Sequence, residues 1–337
     1  MTLKSRLFGT PVSIAEASII LIPVPWGVTV PSRSSTSLAP YSVLKASHQI
    51  DIFEKNNTPS SKVDISMLPI HYEWGMLSEQ LRNSVIAYIN DLESGNITQQ
   101  NGSDQDTIRK VNNSAHTIKE RIKEKALKYI KKGKTVSILG GDQSTALGLI
   151  EAISETNSSF SVLHIDAHAD LKQSYQGFKY SHASVMYNAL KLPNIEKIVQ
   201  VGIRDYSEEE NKLINQEGGK VKTFLDKDIK KQLFTGSSWD SICQSIVKNL
   251  TSNVYISFDI SGLDPKLCPG TGLPVPGGFD FYEIFHLIQS VADAKKKIIG
   301  FDLCEVSPGE NIDWDALVAS KVLYKLAAIT KESRVPA

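Results

Sequence analysis

The sequence is poor in cysteine, has no net charge and contains no long apolar run. Its 3 cysteines, Cys243, Cys268 and Cys304, are too few and too scattered for a disulfide framework or a cysteine-type zinc site. A reducing compartment is therefore expected. The 37 basic and 37 acidic residues cancel, which leaves no electrostatic footprint for nucleic acid or an anionic membrane surface. No apolar segment approaches bilayer-spanning length, and Met1 to Pro11 lacks the apolar core of a signal peptide. The expectation is a cytoplasmic protein with neither nucleic acid nor membrane as partner. Hydrophobic residues at 41% and charged residues at 22% exclude a mainly disordered or collagen-like chain.

What is present is a series of short, β-branched runs. They are Ser18–Val24, Val136–Leu139, Ser161–Ile165, Ile198–Val201, Val221–Phe224, Val254–Phe258 and Ile298–Leu303, with Val63–Leu68 as a weaker eighth. Most are nearly all apolar rather than alternating, as strands buried on both faces are. Between them, helical spacing runs through Gln105–Lys132, Ser144–Glu155, Ala183–Lys191, Glu208–Glu217, Trp239–Leu250, Phe281–Lys295 and Asp313–Thr330. This alternation predicts a mainly parallel sheet covered by helices on both sides. The polar stretches Ser94–Asp106 and Asn56–Lys62 read as surface loops, so residues 1–337 are expected to form one domain.

In open parallel α/β sheets, chemistry gathers at the carboxyl ends of strands. Four such ends carry unusual polar residues. Gly140-Gly141-Asp142-Gln143-Ser144 predicts a tight turn with close backbone approach, capped by Asp142 or Ser144. Asp166-Ala167-His168-Ala169-Asp170 places three potential ligands two apart, on one face if the segment is extended. Asp259 and Ser261 share a face by the same alternation, and Asp264-Pro265 predicts a turn. Glu305 stands alone after the last strand. Packing Asp166, Asp170, Asp259 and Glu305 into one cleft is costly unless cations neutralise them, which points to a metal site, with one or two ions. Carboxylates with an imidazole suit an ion such as Mn²⁺ or Zn²⁺.

These motifs resemble those of the ureohydrolase superfamily, the arginases and agmatinases, from about Ile19 to the C-terminal helix. Asp166-Ala167-His168-Ala169-Asp170 resembles that family's Asp-Ala-His-x-Asp box. Ser257-Phe258-Asp259-Ile260 resembles the opening of its Ser-x-Asp-x-Asp box, and Asp264-Pro265 its close. Pro269-Gly270-Thr271-Gly272 with Pro276-Gly277-Gly278 is similar to the loop that follows. Tyr180-Ser181-His182-Ala183-Ser184 resembles a histidine-bearing segment of bacterial agmatinase-like members. The resemblance implies a three-layer α/β/α arginase-like fold with an eight-stranded sheet. It also implies two Mn²⁺ ions activating a hydroxide that attacks a guanidinium carbon and releases urea and an amine. By resemblance, Asp166 and Asp259 bridge the ions, Asp170 serves the first and His168 the second. His182 is the proton shuttle, suited by a near-neutral pKa, and Glu305 pairs with the guanidinium. A small guanidino compound is the implied partner, Ni²⁺ or Zn²⁺ are alternative ions, and a trimer or hexamer is the implied assembly.

Two positions depart from the pattern. Gln143 stands where the family's Gly-Gly-Asp-His-Ser box has histidine, and Ser261 stands where the second aspartate serves the second ion. Each metal position loses one ligand, and the site loses a negative charge. Lys172 and Gln176 replace an arginine and a glutamate of the segment that follows in agmatinase-like relatives, and Gln173–Lys179 is expected to contact the substrate tail. The leading expectation is an agmatinase-like amidinohydrolase. The alternatives are a metal-deficient binding or assembly subunit and a single-metal amide hydrolase. His164 is expected to be a core histidine, and His48, His71, His116 and His286 to be structural. Cys268 and Cys304 are expected to be buried near the site. Trp26 is expected to pack or to line the substrate mouth.

Overall fold

The computed structural model describes residues 6–9, 12–31, 34–51, 63–95, 102–216, 219–309 and 314–334. Eight strands form one sheet: β1 (Ile19–Val24), β2 (Ile65–Met67), β3 (Thr135–Gly140), β4 (Phe160–Ile165), β5 (Ile195–Ile203), β6 (Val221–Leu225), β7 (Asn253–Asp259) and β8 (Lys297–Cys304). The order is β2-β1-β3-β8-β7-β4-β5-β6, and every pairing is parallel. All eight predicted strands are present within one to three residues of their expected bounds.

Strand composition follows from two-sided burial. β1 reads Ile-Ile-Leu-Ile-Pro-Val and is buried throughout. Ile19 and Leu21 enter one apolar cluster, whereas Ile20 and Ile22 enter the other, so period-two alternation divides one strand between two cores. The first core is closed by α1 (Ala39–Ala46), α7 (Asp226–Phe234), α8 (Trp239–Val247), α9 (Phe281–Asp293) and α10 (Trp314–Glu332). The second is closed by α2 (Tyr72–Glu93), α3 (Gly102–Ile130), α4 (Leu147–Thr156), α5 (Val185–Leu190) and α6 (Glu208–Gln216). Helix α9 shows the local logic. A capping box of Asp280 and Glu283 starts it, and Lys295, with φ of 58°, lies just past its end. Its Ile284, Leu287, Ile288 and Val291 are fully buried, each worth about 1.5–3 kcal/mol of transfer free energy.

Several expectations need correction. Gly102–Asp106 belongs to α3, so the polar stretch Ser94–Asp106 is not all loop; Ser94 and Gly95 form a turn after α2, and residues 96–101, like Asn56–Lys62, lie outside the described residues. Helices α1, α2 and α7 were not expected. In α2, Trp74, Leu77, Leu81, Val85 and Tyr88 recur in steps of three and four and pack on the second core. The helix expected at Ser144 opens as a 3-10 turn, Gln143–Ala146, before α4.

The topology places the site. β3 and β4 are consecutive in the chain but are separated in the sheet by β8 and β7. A crevice opens at the carboxyl ends where the winding reverses. The ends of β3, β8, β7 and β4 are neighbours there.

Candidate active site

Gln143 follows β3, Glu305 follows β8, Asp259 closes β7 with Ser261 just beyond, and Asp166, His168 and Asp170 follow β4. Gln143, His168, Asp170, His182, Asp259, Ser261 and Glu305 line one cavity of about 210 Å³. Asp166 is fully buried immediately behind it, hydrogen-bonded to Ser261. The glycine turn is needed for close approach: a Cβ on Gly141 would overlap the carbonyl oxygen of Trp26, whose backbone accepts from Asp142 N at 2.7 Å. Asp142 caps the following turn by accepting from Ser144 N at 3.1 Å, as the sequence predicts.

Asp166 is fixed from several directions. Oδ1 accepts from His168 N at 2.8 Å and from the Ser261 hydroxyl at 2.9 Å. Oδ2 lies 2.9 Å from His164 Nε2. Gln200 Nε2 lies 3.1 Å from His164 Nδ1 and donates to Ala169 O at 2.7 Å, while Gln200 Oε1 accepts from Thr223. Those partners assign Nδ1 as acceptor, so His164 is the Nε2–H tautomer and donates to Asp166. His164 is thus a satisfied buried histidine, as expected, and it also orients a site carboxylate. The extended-segment expectation fails at Asp170, whose φ is 54°. The group with donor atoms all within 4.8 Å of one another is His164, Asp166 and Asp170, not Asp166, His168 and Asp170. His164 and Asp166 share a face by strand alternation, and the left-handed turn then brings Asp170 back. Asp259 and Ser261 also meet differently: Asp259 Oδ1 caps a 3-10 turn through Ser261 N at 2.6 Å.

Beneath these residues lies a polar row set by strand register. Gln200 on β5 pairs with His164 on β4, His164 with Ser257 on β7, and Ser257 with Asp302 on β8. All four are fully buried. The row also holds Gln143, whose Nε2 donates to Ser257 Oγ at 2.7 Å and to Asp302 Oδ1 at 3.1 Å. Tyr255 donates its hydroxyl to Asp302 Oδ2 at 2.7 Å. Gln143 Oε1 is buried without a hydrogen-bond partner, as is His168 Nε2. Buried acceptors without donors are costly, and both belong to residues lining the cavity.

The electrostatics are dominated by carboxylates. Burial, then the charges of Asp166 and Asp259, push Asp170 well above its usual range. Burial, then Asp166 and Glu305, do the same for Asp259, and burial, then Asp142, for Glu305. Burial would also raise Asp166, but hydrogen bonds from His164 and His168 outweigh it and hold that carboxylate below its usual range. Among the described residues no lysine or arginine forms an ion pair with Asp170, Asp259 or Glu305. Asp170 and Glu305 also carry left-handed backbone, with φ of 54° and 61°, the kind of local strain that clusters at functional sites. Three carboxylates together with an unpartnered amide oxygen form a hard oxygen donor set that fits a divalent ion.

His182 sits at the cavity wall, partly exposed. Thr29 Oγ1 lies 3.1 Å from its Nδ1 and accepts its backbone N–H at 3.2 Å. Burial, then the nearby His168 and Lys172, lower its pKa to about 3. This departs from the near-neutral value expected from the sequence: enclosure removes the water that would stabilise the ring's cation, and Lys172 adds to the effect. Lys172 and Tyr175 line the mouth, with Lys172 Nζ 4.4 Å from the Tyr175 ring centre. Arg82 donates to the carbonyls of Gly27, Val30, Pro31 and Ser34, holding the loop that forms the opposite rim.

This strand-end cluster, on this sheet order, agrees with family comparison. The Arginase family pattern matches residues 17–328. The chain belongs to the arginase family. An N(1)-aminopropylagmatine ureohydrolase of Thermus thermophilus is 29% identical over 315 residues, covering 92% of this chain and 90% of the relative. A proclavaminate amidinohydrolase of Streptomyces clavuligerus is 33% identical over 173 residues, covering 51% and 53%. The agmatine ureohydrolase structure from Thermoplasma volcanium superposes with a TM-score of 0.74 at 22% identity, covering 97% of this chain and 94% of the other. That last likeness shows the three-layer arginase-like fold.

The remaining candidates in this arginase-family chain do not line the cavity. Cys243, Cys268 and Cys304 are buried and free. Trp26 is 2% exposed and packs in the second core rather than lining the active cavity. His71 stacks on Trp74 at 4.4 Å, and His286 Nε2 lies 3.1 Å from Asp240. No described helix is long and apolar enough to cross a membrane.

Proposed function

We propose that this chain is an agmatinase-like, divalent-metal-dependent amidinohydrolase acting as one domain on a small guanidino compound. The observation that carries this reading is the buried carboxylate cluster: Asp170, Asp259 and Glu305 line one cavity with Asp166 behind them, and among the described residues no lysine or arginine forms an ion pair with Asp170, Asp259 or Glu305. Such a cluster is stable in its charged form only with cations beside it, and its two cation classes are a metal ion and a guanidinium. The relatives named as ureohydrolase and amidinohydrolase support the same chemistry.

Asp166, Asp170 and Asp259, with Gln143 Oε1, are the proposed ligands for Mn²⁺, or for Ni²⁺ or Zn²⁺. The ion's role is to make a water molecule acidic enough to ionise near neutral pH. Glu305 is proposed to pair with the substrate guanidinium: the Gln143 backbone N–H holds Oε1 at 2.9 Å, which aims the carboxylate while Oε2 keeps its acceptor capacity. His168 Nε2, unpartnered at the same wall, is an acceptor for a guanidinium N–H. His182 is neutral at pH 7 and is proposed to relay a proton to the departing amine nitrogen, its ring held by Thr29. In the overall reaction one water oxygen bonds to the guanidinium carbon, the C–N bond to the alkyl nitrogen breaks, and urea and an alkylammonium leave. Protons and charge balance without a redox partner. A homo-oligomer, trimeric or hexameric, is carried with this proposal, and sedimentation tests it.

The direct test is to load purified protein with Mn²⁺ and assay urea release from a panel of guanidino compounds with amine, carboxylate and amino-acid tails. Urea and the matching amine in equal amounts from at least one member is the expected result. No urea from any member, with the ion bound, overturns the reading.

A further inference from the structure

The family resemblance implies two ions, but the two halves of this site differ in what they leave open. On one side, Gln143 uses both amide hydrogens, one on Ser257 Oγ at 2.7 Å and one on Asp302 Oδ1 at 3.1 Å. Asp302 also accepts from Tyr255, so it is an acceptor in this network, and a flipped Gln143 amide would set oxygen against oxygen. Oε1 is thereby fixed as the atom without a partner, on a side chain that is fully buried and lines the cavity. An amide oxygen is a hard, neutral ligand of the kind that completes carboxylate cation sites. Asp170 lies beside Asp166, within the 4.8 Å cluster, and lines the same cavity as Gln143.

On the other side the protein supplies its own donors. Ser261 stands where an aspartate would bring a charge. Its hydroxyl donates to Asp166 Oδ1 at 2.9 Å and its Oγ accepts from Ala167 N at 3.3 Å. Asp166 Oδ1 also accepts from His168 N at 2.8 Å, so the two lone pairs of that oxygen are occupied. Asp259 Oδ1 is engaged by Ser261 N. What remains there for a cation is chiefly one imidazole nitrogen, His168 Nε2.

We infer that this chain holds one divalent ion rather than two, with Gln143 Oε1 as an oxygen ligand beside Asp166, Asp170 and Asp259. The Ser261 hydroxyl, bonded to Asp166, closes the second position. This rests on the metal-dependent reading above and deepens it. An amide oxygen and a serine thus act as a matched pair: one keeps the first position usable, and the other shuts the second.

The test uses the full chain, stripped with chelator, reloaded with Mn²⁺ and dialysed. Elemental analysis gives the ion count, and electron paramagnetic resonance distinguishes an isolated Mn²⁺ from a coupled pair. One ion per chain with an isolated six-line spectrum is expected. Two ions with a coupled spectrum overturn the single-ion inference and leave the metal-dependent reading standing. No ion bound to folded protein overturns both. Ser261→Asp is expected to raise the count to two; if that variant does not fold, the wild-type count still decides. Gln143→Ala, checked by circular dichroism, is expected to weaken Mn²⁺ binding by at least about 10-fold. Unchanged binding overturns the ligand role of the amide.

Discussion

Asp170→Asn separates the charge of Asp170 from its shape. Asparagine matches the size of aspartate and tolerates the left-handed backbone found there, with φ of 54°. Asp166 and Asp170 oxygens lie within 4.8 Å. Two full charges at that separation repel by about 3.5 kcal/mol at an effective dielectric of about 20. Burial and the neighbouring charges raise the Asp170 pKa, which relieves part of this repulsion, so the realised relief is on the order of 1–2 kcal/mol. For 337 residues the unfolding entropy is about 0.7 kcal/mol per kelvin, so the metal-free variant should melt about 1.5–3 °C above the wild type. Saturating ion works the other way. At 100 times its Kd, an ion bound only to the native state adds about 2.7 kcal/mol, about 4 °C, and the variant should lose most of that rise. Thermal melts of chelator-treated protein, with and without Mn²⁺, read both effects. A metal-free variant that melts lower than the wild type, or one that keeps the full ion-induced rise, refutes the reasoning.

Gly141→Ala sets a Cβ against the Trp26 carbonyl, which is backbone and cannot rotate away. A loss of about 3 kcal/mol, about 4 °C in Tm, is expected, and an unchanged Tm contradicts it. Metal-free stability should fall as pH rises above 6.5. Asp170, Asp259 and Glu305, raised by burial and mutual charge, bind protons more tightly when folded, so their contribution is complete at low pH and lost toward their raised values. His182, lowered from 6.5 to about 3, runs oppositely, but its gain is complete once pH passes 6.5. Melts on the alkaline side of pH 6.5 should therefore slope downward without ion and flatten with it; a rising curve without ion contradicts the assignment. His182→Ala should lower kcat by about 10²–10⁴-fold in the loaded enzyme with ion content unchanged, and an undiminished kcat removes it from proton transfer.

Strands were readable because both faces of the sheet are buried. A segment such as Ile19–Val24 is apolar along its whole length, as a strand buried on both faces is. Strand-end residues followed, since a parallel sheet fixes where ends meet. Helix α7 was hidden because Ile229 is its one buried apolar side chain, too few to mark a period. α2 was readable in principle from Trp74, Leu77, Leu81, Val85 and Tyr88, but Gly75 and the polar residues between them dilute the pattern. The polar row was hidden for a different reason. Gln200, His164, Ser257 and Asp302 each look like a lone polar residue in an apolar strand, and only register shows that they adjoin. One part was within reach: alternation applied forward from Asp166 also applies backward, to His164. The depressed pKa of His182 depends on enclosure and on Lys172 and His168, contacts that no local spacing encodes.

The central claim is that the carboxylates at the ends of β4 and β7, beside the Gln143 amide oxygen, form a cation site. Crystals grown with Mn²⁺ and measured at a wavelength where manganese scatters anomalously test this most directly. The account predicts an anomalous peak within coordination distance of Asp166, Asp170 and Asp259. A well-ordered site without any peak, or a peak only elsewhere on the molecule, contradicts it.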